Sequence, residues 1–308
     1  MKYLTIAVVI GVLVIGSYYF IKSSPTDTPT ELSVVVEKDK NPATTTQVAV
    51  EPRPEPVVEE DKTKTIVGTS VENRPITAYH YGTGETELLF VGGIHGGYSW
   101  NTALVAYELM DYLKENPNVI PKEIRVTVIP VLNPDGLTKV VGTADMFKKS
   151  DVSTSEDILV SGRFNAHDVD LNRNFDCDWQ SSGTWQNKVV SGGNKTFSEP
   201  ESQAFREYIT SNTPDAVIVW YSASGGVFAS NCHSEILEET TAILNVYSKA
   251  SGYMAYKDFD FYAITGDMVN WLAKNKIPAI SVLLTNHTDT EWNKNQAGIE
   301  ALFKYYAK

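Results

Sequence analysis

The residue best placed to do chemistry in this sequence is His95, in the segment VGGIHGGYSWNT (residues 91–102). An apolar run and two glycines precede it, and helical periodicity begins soon after it. A histidine between a strand and a helix is where an enzyme places a zinc ligand, usually with a carboxylate nearby. However, no Asp or Glu lies between His95 and Glu108. His95 is therefore an intact metal ligand, the remnant of one, or an ordinary buried histidine.

The pattern around His95 predicts an α/β domain. Apolar runs typical of buried strands cover residues 87–93, 124–133, 214–223 and 277–286, and helical periodicity covers residues 100–116, 199–212, 266–276 and 293–308. Residues 64–82 alternate apolar and polar positions around a turn, as a β-hairpin does. Such strands, alternating with helices, form a mixed, mostly parallel sheet that helices cover on both faces. The ligand crevice of this fold lies at the carboxyl ends of the strands, where we expect His95, Asn133, Tyr221 and Leu283–Leu284.

Charge and cysteine content limit the function classes. The chain has 308 residues and a net charge of -12, which argues against a nucleic-acid partner because phosphate binding needs clustered Lys and Arg. Cys177 and Cys232 form no C-x-x-C pair and predict no zinc ribbon. Outside the cytosol they are able to form one disulfide, but the sequence favours two unpaired structural thiols.

Residues 1–22 have the pattern of a membrane anchor. Uncharged, mostly apolar residues run over positions 3–21, between Lys2 and Lys22. At about 1.5 Å per residue this run spans about 28 Å, close to the thickness of the hydrocarbon core. A cleaved signal peptide is the alternative, in which case the domain is secreted. The aromatic end of the run (residues 18–20) suits a membrane interface and favours an anchor, with an extracytoplasmic domain.

Residues 23–64 are predicted to be a disordered tether rich in Pro, Thr and Glu. They contain 6 of the chain's 14 prolines, in runs such as SSPTDTPTE and EPRPEPVVEEDK. Such a composition buries too little apolar surface to offset the entropy of ordering the chain. The folded domain is therefore expected to cover residues 65–308.

Six motifs follow one another in the predicted domain. They are GGIHGGYSWNT (92–102), PVLNPDG (130–136), GRFNAHDVDLNRNFD (162–176), FSEPESQAF (197–205), YAITGDMVNW (262–271) and IPAISVLL (277–284). In this order they resemble the zinc carboxypeptidase family, which includes carboxypeptidases A and B and bacterial peptidases that act on peptidoglycan peptides. The pair NPDG and DVDLNRNF is the most specific part. The resemblance covers roughly residues 65–308 and implies the fold of that family.

The resemblance also implies a mechanism. In this family a zinc ion is held by a His and a Glu from an H-x-x-E turn and by a second His from a later strand end, with water in the fourth position. A separate Glu takes the proton of that water, and an Arg stabilises the oxyanion. An Asn-Arg pair binds the terminal carboxylate of the peptide substrate, and a mobile Tyr covers it.

Carried onto this sequence, the resemblance leaves the metal site incomplete. His95 matches the first zinc ligand. The Glu ligand falls on Tyr98, or on Ser99 if the turn is one residue longer. The second His falls on Tyr221 and the general base on Leu283. Zinc is therefore the cofactor that the family implies, but we expect its binding here to be weak or absent.

The substrate-facing positions of the family are better preserved. Arg163 matches the oxyanion Arg, Asn172 and Arg173 match the carboxylate clamp, and Tyr262 matches the covering Tyr. Val269 falls near the position that selects the substrate side chain, and its apolar character favours an apolar or small partner over a basic one. On the less specific interpretation, Asn172 and Arg173 merely brace their loop and Tyr262 is an ordinary surface aromatic.

Three hypotheses remain open from the sequence. The first is a membrane-tethered, catalytically degenerate carboxypeptidase-like domain that binds the C-termini of peptides, including peptidoglycan peptides, and contacts the membrane through residues 3–21. The second is an active zinc carboxypeptidase with relocated ligands, for which Cys232, His233 and His287 are the nearest candidates. The third is a deliberately inactivated copy of such an enzyme.

Overall fold

The computed structural model of the protein describes residues 63–307. The predicted anchor (residues 1–22) and nearly all of the predicted tether (residues 23–64) lie outside the described residues. Within the described part of the chain, no helix is both long enough and apolar enough to cross a membrane.

A mixed sheet of eight strands forms the centre of the domain. In chain order the ten strands of the described residues, eight in this sheet and two in a hairpin, are β1 (Lys64–Thr69), β2 (Pro75–Gly82), β3 (Thr86–Val91), β4 (Ile124–Ile129), β5 (Ser182–Trp185), β6 (Lys188–Ser191), β7 (Ala216–Ser222), β8 (Gly226–Ala229), β9 (Ala255–Tyr256) and β10 (Ala279–Leu284). The spatial order is β1-β2-β4-β3-β7-β10-β8-β9, and β5 and β6 form a separate hairpin. The four central strands β4, β3, β7 and β10 are parallel, so their carboxyl ends meet at one edge.

Seven α-helices surround this sheet within residues 63–307. They are α1 (Trp100–Glu115), α2 (Pro134–Val141), α3 (Glu156–Ser161), α4 (Pro200–Asn212), α5 (Glu238–Ser251), α6 (Met268–Lys274) and α7 (Trp292–Tyr306). Side chains of α1, α5 and α7 join one hydrophobic cluster with the sheet, and side chains of α4 and α6 join a second cluster.

The two clusters lie on opposite faces of the sheet because successive side chains of a strand point in opposite directions. On β10, Ile280, Val282 and Leu284 belong to the first cluster, whereas Leu283 belongs to the second together with Tyr221 of β7. The central strands are therefore apolar on both faces. This confirms the predicted α/β architecture with helices on both faces of a mostly parallel sheet.

Several elements had no counterpart in the sequence analysis. The helices α2 and α5, the hairpin β5–β6 and the short strands β8 and β9 all fall in stretches that carried no prediction. For α5 the apolar positions were present at helical spacing, at Ile243, Leu244 and Tyr247. The short strands contain two to four residues each, too few for periodicity to identify them.

The expectation of two unpaired thiols is wrong, because Cys177 and Cys232 form a disulfide. The two residues are 55 positions apart in sequence, and their Cα atoms lie 6.1 Å apart. The loop after the DVDLNRNF segment and the loop after β8 meet in the folded domain, which places the two side chains together. Sequence spacing gives no access to such a long-range contact.

Candidate functional site

A cleft of about 650 Å³ lies at the carboxyl ends of the central strands, where the fold predicts a ligand crevice. His95 follows β3, while Tyr221 and Leu283 are direct partners in the register of β7 and β10. These three residues line the cleft, and so do five further predicted site residues, namely Tyr98, Arg163, Asn172, Tyr262 and Val269. The cleft therefore unites most of the positions that the motifs predicted. Ser99, Asn133 and Arg173 are buried beside it or beyond it.

The imidazole of His95 is buried, and neither ring nitrogen makes a hydrogen bond within residues 63–307. Its Nε2 atom lies 3.4 Å from Oδ1 of Asp170, and its ring centre lies 5.8 Å from that of Tyr221. Burial and the nearby charge of Arg163 lower the pKa of His95 to about 4. The imidazole is therefore neutral at pH 7 and keeps a free lone pair.

Asp170 is the centre of the charged cluster in the cleft. Its side chain is fully buried, and its Oδ2 atom accepts hydrogen bonds from Nε and Nη2 of Arg163 at 3.0 and 2.8 Å. Nε of Arg173 lies 3.7 Å away. Burial alone would raise the pKa of Asp170, but Arg163, His95 and Arg173 outweigh it and hold that pKa below its ordinary value. Asp170 therefore stays ionised and orients the predicted oxyanion Arg.

The guanidinium of Arg163 itself packs against two aromatic rings. Its guanidinium carbon lies 4.5 Å from the ring centre of Trp185 and 5.9 Å from that of Tyr98. Trp185 belongs to β5, so the hairpin β5–β6 covers this guanidinium. Within the described residues, Nη1 of Arg163 makes no hydrogen bond, and it is the free donor that the cleft offers to an anion.

Asn172 is held by residues of two neighbouring elements. Its Oδ1 atom accepts hydrogen bonds from the hydroxyl of Tyr221 at 3.1 Å and from the backbone N–H of Met268 at 3.2 Å. Its Nδ2 atom donates to Asp267 at 2.9 Å. The tyrosine at the second His position therefore bonds to one half of the predicted carboxylate clamp.

Arg173 is also held by the protein. Nη2 donates to the backbone carbonyl of Thr184 in β5 at 2.8 Å, and Nη1 donates to the hydroxyl of Thr265 at 3.2 Å. The side chain is buried and faces a second, smaller depression that it shares with β5 and Tyr262. The predicted Asn-Arg clamp is thus present in sequence. Three of its donor atoms bind protein atoms, whereas the buried Nε of Arg173 makes no hydrogen bond within residues 63–307.

The two candidates for the Glu ligand point in different directions. Tyr98 extends over the cleft, where its hydroxyl accepts a hydrogen bond from Nε2 of Gln186 at 3.0 Å and its ring contacts Trp185. Ser99 is buried, and its Oγ atom lies 3.5 Å from the backbone carbonyl of Ser222, next to Tyr221. Position 99 is therefore the one that faces the end of β7.

Aromatic side chains form the outer wall of the cleft. Tyr262 is 49% exposed, and its ring centre lies 4.9 Å from that of Phe259, which in turn contacts Phe228. Val269 is buried at the base of this wall. Together with Leu283 these residues make the pocket apolar on this side, which favours an apolar ligand group.

The residues at the family's metal positions do not fit a zinc ion. A structural or catalytic zinc needs three or four donors from His, Cys, Asp or Glu. Among residues 63–307, no group of three such side chains is placed to share a metal ion. Asp170, the acid nearest to His95, already binds Arg163 with its other oxygen. The unpartnered His95 imidazole therefore has a free lone pair but lacks partner ligands.

The fold and the cleft define an α/β domain with a strand-end histidine and a buried Arg-Asp cluster. Comparison with protein families is more specific, because the model of the zinc carboxypeptidase family of peptidases matches residues 59–300. The chain belongs to the zinc carboxypeptidase family. This confirms the family predicted from the motifs.

This chain spans about half the length of the curated relatives that it matches. A zinc carboxypeptidase of Simulium vittatum is 29% identical over 150 residues, which cover 46% of this chain and 47% of that protein. Carboxypeptidase O of Bos taurus is 26% identical over 188 residues, which cover 56% of this chain and 48% of that protein.

Solved structures share the fold at low identity. Murein-tripeptide amidase MpaA from Escherichia coli O157 has a TM-score of 0.54 and 19% identity, with 80% of this chain and 92% of that chain covered. Thrombin-activatable fibrinolysis inhibitor has a TM-score of 0.61 and 18% identity, with 79% and 67% covered. These likenesses establish the fold.

Three residues of the site were not identified from the sequence. Asp170 lies inside DVDLNRNF, and an acidic residue between Arg163 and Arg173 was a signal that could have identified it. Asp267 follows Gly266 and caps α6 by accepting a hydrogen bond from the N–H of Asn270 at 2.9 Å. Trp185 belongs to a four-residue strand and had no signal in the sequence.

Proposed function

We propose that this protein is a catalytically degenerate zinc carboxypeptidase that binds the C-terminal end of a peptide without hydrolysing it. The observation that carries this proposal is the set of residues at the reacting centre. Tyr98 and Ser99, Tyr221 and Leu283 stand where the family has two zinc ligands and the general base. Phenol, alcohol and isobutyl groups supply neither a stable zinc site nor a proton acceptor at neutral pH.

The terminal carboxylate of the peptide is assigned to Arg163. Its Nη1 atom is the free guanidinium donor of the cleft, and Asp170 and Trp185 fix the orientation of the group. A carboxylate there gains a charge-assisted hydrogen bond in a partly desolvated site. Asn172 and Arg173 act as the supports of this arrangement, since their donors bind Asp267, Thr184 and Thr265.

The apolar wall next to Arg163 selects the side chain of the bound peptide. Val269, Leu283 and Phe228 present hydrocarbon surface, so an apolar or small C-terminal residue is preferred over a basic one. A peptidoglycan stem peptide is one candidate ligand, because the family includes peptidases that act on such peptides. The shared fold of the murein-tripeptide amidase supports testing such a peptide as a ligand.

The proposed setting is outside the cytoplasm, with residues 3–21 as the membrane anchor. The apolar run at positions 3–21 supports the anchor, and the disulfide between Cys177 and Cys232 supports an oxidising compartment. Cleavage of the N-terminal segment would instead give a secreted protein with the same domain.

The test uses the full chain and a pair of matched tripeptides with a small C-terminal residue, one with a free carboxylate and one amidated. Calorimetry is expected to show that amidation weakens binding about tenfold to a hundredfold, because it removes a hydrogen bond to a charged group. Chromatography of the same mixtures is expected to show no release of the terminal residue. Equal binding of both peptides would overturn the proposed ligand, and release of the terminal residue would favour an active enzyme with relocated ligands.

A further inference from the structure

A polar cluster of three side chains joins three elements around the cleft. His287 lies in the loop after β10, Ser222 ends β7, and Asn101 lies in the first turn of α1. Oγ of Ser222 is 2.9 Å from Nδ1 of His287 and 3.0 Å from Oδ1 of Asn101. Tyr221 and Leu283 lie on the strands β7 and β10, and Ser99 directly precedes α1, so this cluster adjoins the family's metal and general-base positions.

The hydrogen bonds of Asn101 fix the direction of this chain. Its Nδ2 atom donates to the backbone carbonyls of Asn286 and Asp289 at 2.8 and 2.9 Å, so its Oδ1 atom is the one that faces Ser222. A carbonyl oxygen only accepts, and the hydroxyl proton of Ser222 must therefore go to Asn101. Oγ of Ser222 then accepts a hydrogen bond from the Nδ1–H group of His287. The imidazole proton is therefore on Nδ1, and Nε2 keeps a lone pair.

The loop that carries His287 is held in place by its own hydrogen bonds. Oδ1 of Asn286 accepts from the backbone N–H groups of Thr288 and Asp289, both at 2.8 Å. Glu291 accepts from the backbone N–H and the hydroxyl of Thr285 at 2.7 and 2.9 Å. Because Asn101 also binds two carbonyls of this loop, the position of His287 is fixed before any ligand arrives.

His287 lies beside the proposed carboxylate site. Its ring centre is 4.7 Å from that of Tyr98, and the Tyr98 ring centre in turn lies 5.9 Å from the guanidinium carbon of Arg163. Both His287 and Arg163 line the cleft, and Nε2 of His287 makes no hydrogen bond within residues 63–307. Burial and the charge of Arg163 lower the pKa of His287, so the ring is neutral at pH 7. Adjacent residues of an extended peptide are only about 3.5 Å apart along the chain, so a peptide of a few residues reaches both groups.

We propose that His287 is a specificity-determining residue of the cleft whose Nε2 atom accepts a hydrogen bond from an N–H or O–H donor of the peptide held at Arg163. This inference rests on the proposed function, because it assigns a second contact to the same ligand. It also explains Ser222 and Asn101 as positioning residues, which set the tautomer and the location of the ring.

The tautomer is tested by nitrogen NMR of the 15N-labelled full chain at neutral pH. The His287 ring is expected to show a protonated Nδ1 and an unprotonated Nε2, and Ser222→Ala is expected to shift the proton toward Nε2. A protonated Nε2 in the unchanged protein would overturn the assignment, because that atom would then donate.

The contact is tested by calorimetry with a tripeptide with a small C-terminal residue and a free carboxylate. His287→Leu is expected to weaken binding about threefold to tenfold, the effect of one neutral hydrogen bond. His80→Leu is the matched control, since His80 is also half-buried and neutral but bonds to Thr65 and Thr127 of the sheet. It is expected to leave the Kd unchanged.

The outcomes separate this inference from the proposed function. Unchanged binding by His287→Leu, with the free carboxylate still preferred over the amide, overturns the role of His287 and leaves the proposed function standing. Loss of the preference for the carboxylate in the unchanged protein overturns both. A weaker Kd in His287→Leu and in Ser222→Ala, with unchanged melting temperatures, supports the assignment.

Discussion

Two groups of residues meet in the cleft and have opposite relations to the family pattern. The Asp170 cluster, formed by Asp170, Arg163, Asn172 and Arg173, keeps the family's residues in DVDLNRNF and the segment before it. The second group is the metal-site positions, which are 95, 98 or 99, 221 and 283. Among them, only position 95 has the family's residue, a histidine. Both groups are largely buried and line or flank the same cleft.

The difference lies in what each group does for the fold. The polar atoms of the Asp170 cluster bind one another, the hairpin β5–β6 and the start of α6. Removal of one member leaves a buried charge or donor without a partner, which costs far more than the bond contributes. At the metal-site positions, Tyr221 and Leu283 belong to a hydrophobic cluster of the sheet. A preserved motif is therefore evidence of a structural requirement first, and the free Nη1 of Arg163 is the donor of this cluster that we assign to a ligand.

The strongest way to break this comparison is to remove the central charge of the Asp170 cluster. Asp170→Asn is expected to lower the free energy of unfolding by about 3 to 5 kcal/mol, because it leaves the buried guanidinium of Arg163 without its counter-charge. Urea unfolding measures the change. Asp176→Asn is the control on the same segment, where an exposed pair with Lys274 is worth at most about 1 kcal/mol. Equal effects of the two changes would contradict a structural role for the cluster.

A second test uses the pH dependence of stability at His95. Its folded pKa of about 4 lies below the ordinary 6.5, so between these values the unfolded chain binds more protons. Stability from this group is complete above about pH 6.5 and falls as the pH drops toward 4, by about 3 kcal/mol in total. His95→Gln is expected to reduce the change in the free energy of unfolding between pH 4 and pH 6.5, which urea unfolding at several pH values measures. If His95 instead held a metal, its substitution would change metal content as well as the pH slope.

The smallest expected effect belongs to the hydroxyl of Tyr221. Tyr221→Phe removes the hydrogen bond from the Tyr221 hydroxyl to Asn172. Because Asn172 still accepts a hydrogen bond from the N–H of Met268, the free energy of unfolding is expected to fall by about 1 kcal/mol. Thermal unfolding checks this value. An unchanged melting temperature would mean that the two groups of residues in the cleft do not stabilise each other through this bond.

Much of the fold was predictable from the sequence, because the central strands are long apolar runs and the main helices have clear periodicity. The motif order also placed His95, Arg163, Tyr221 and Leu283 in one crevice. Parallel strands end at the same edge of a sheet, so their order alone brings these residues together. The strand-end positions Tyr221 and Leu283 line the cleft, whereas Asn133 and Leu284, which were also expected there, are buried and do not line it.

The remaining features depend on contacts that sequence spacing does not encode. Arg173 matched the clamp by motif, yet its donors bind a backbone carbonyl of the β5–β6 hairpin and the hydroxyl of Thr265. His287 was considered as a replacement metal ligand, whereas Ser222 and Asn101 orient it as a hydrogen-bond acceptor. The disulfide of Cys177 and Cys232 likewise depends on two distant loops.

The most direct test of the central claim is the zinc content of the purified full chain, measured by elemental analysis after dialysis against zinc-containing buffer. The matched control is the triple variant Ser99→Glu, Tyr221→His and Leu283→Glu, which restores the family's donors around His95. The account predicts zinc far below one ion per chain in the unchanged protein, because His95 alone cannot complete a site. One zinc ion per chain in the unchanged protein, lost on His95→Gln, would contradict it.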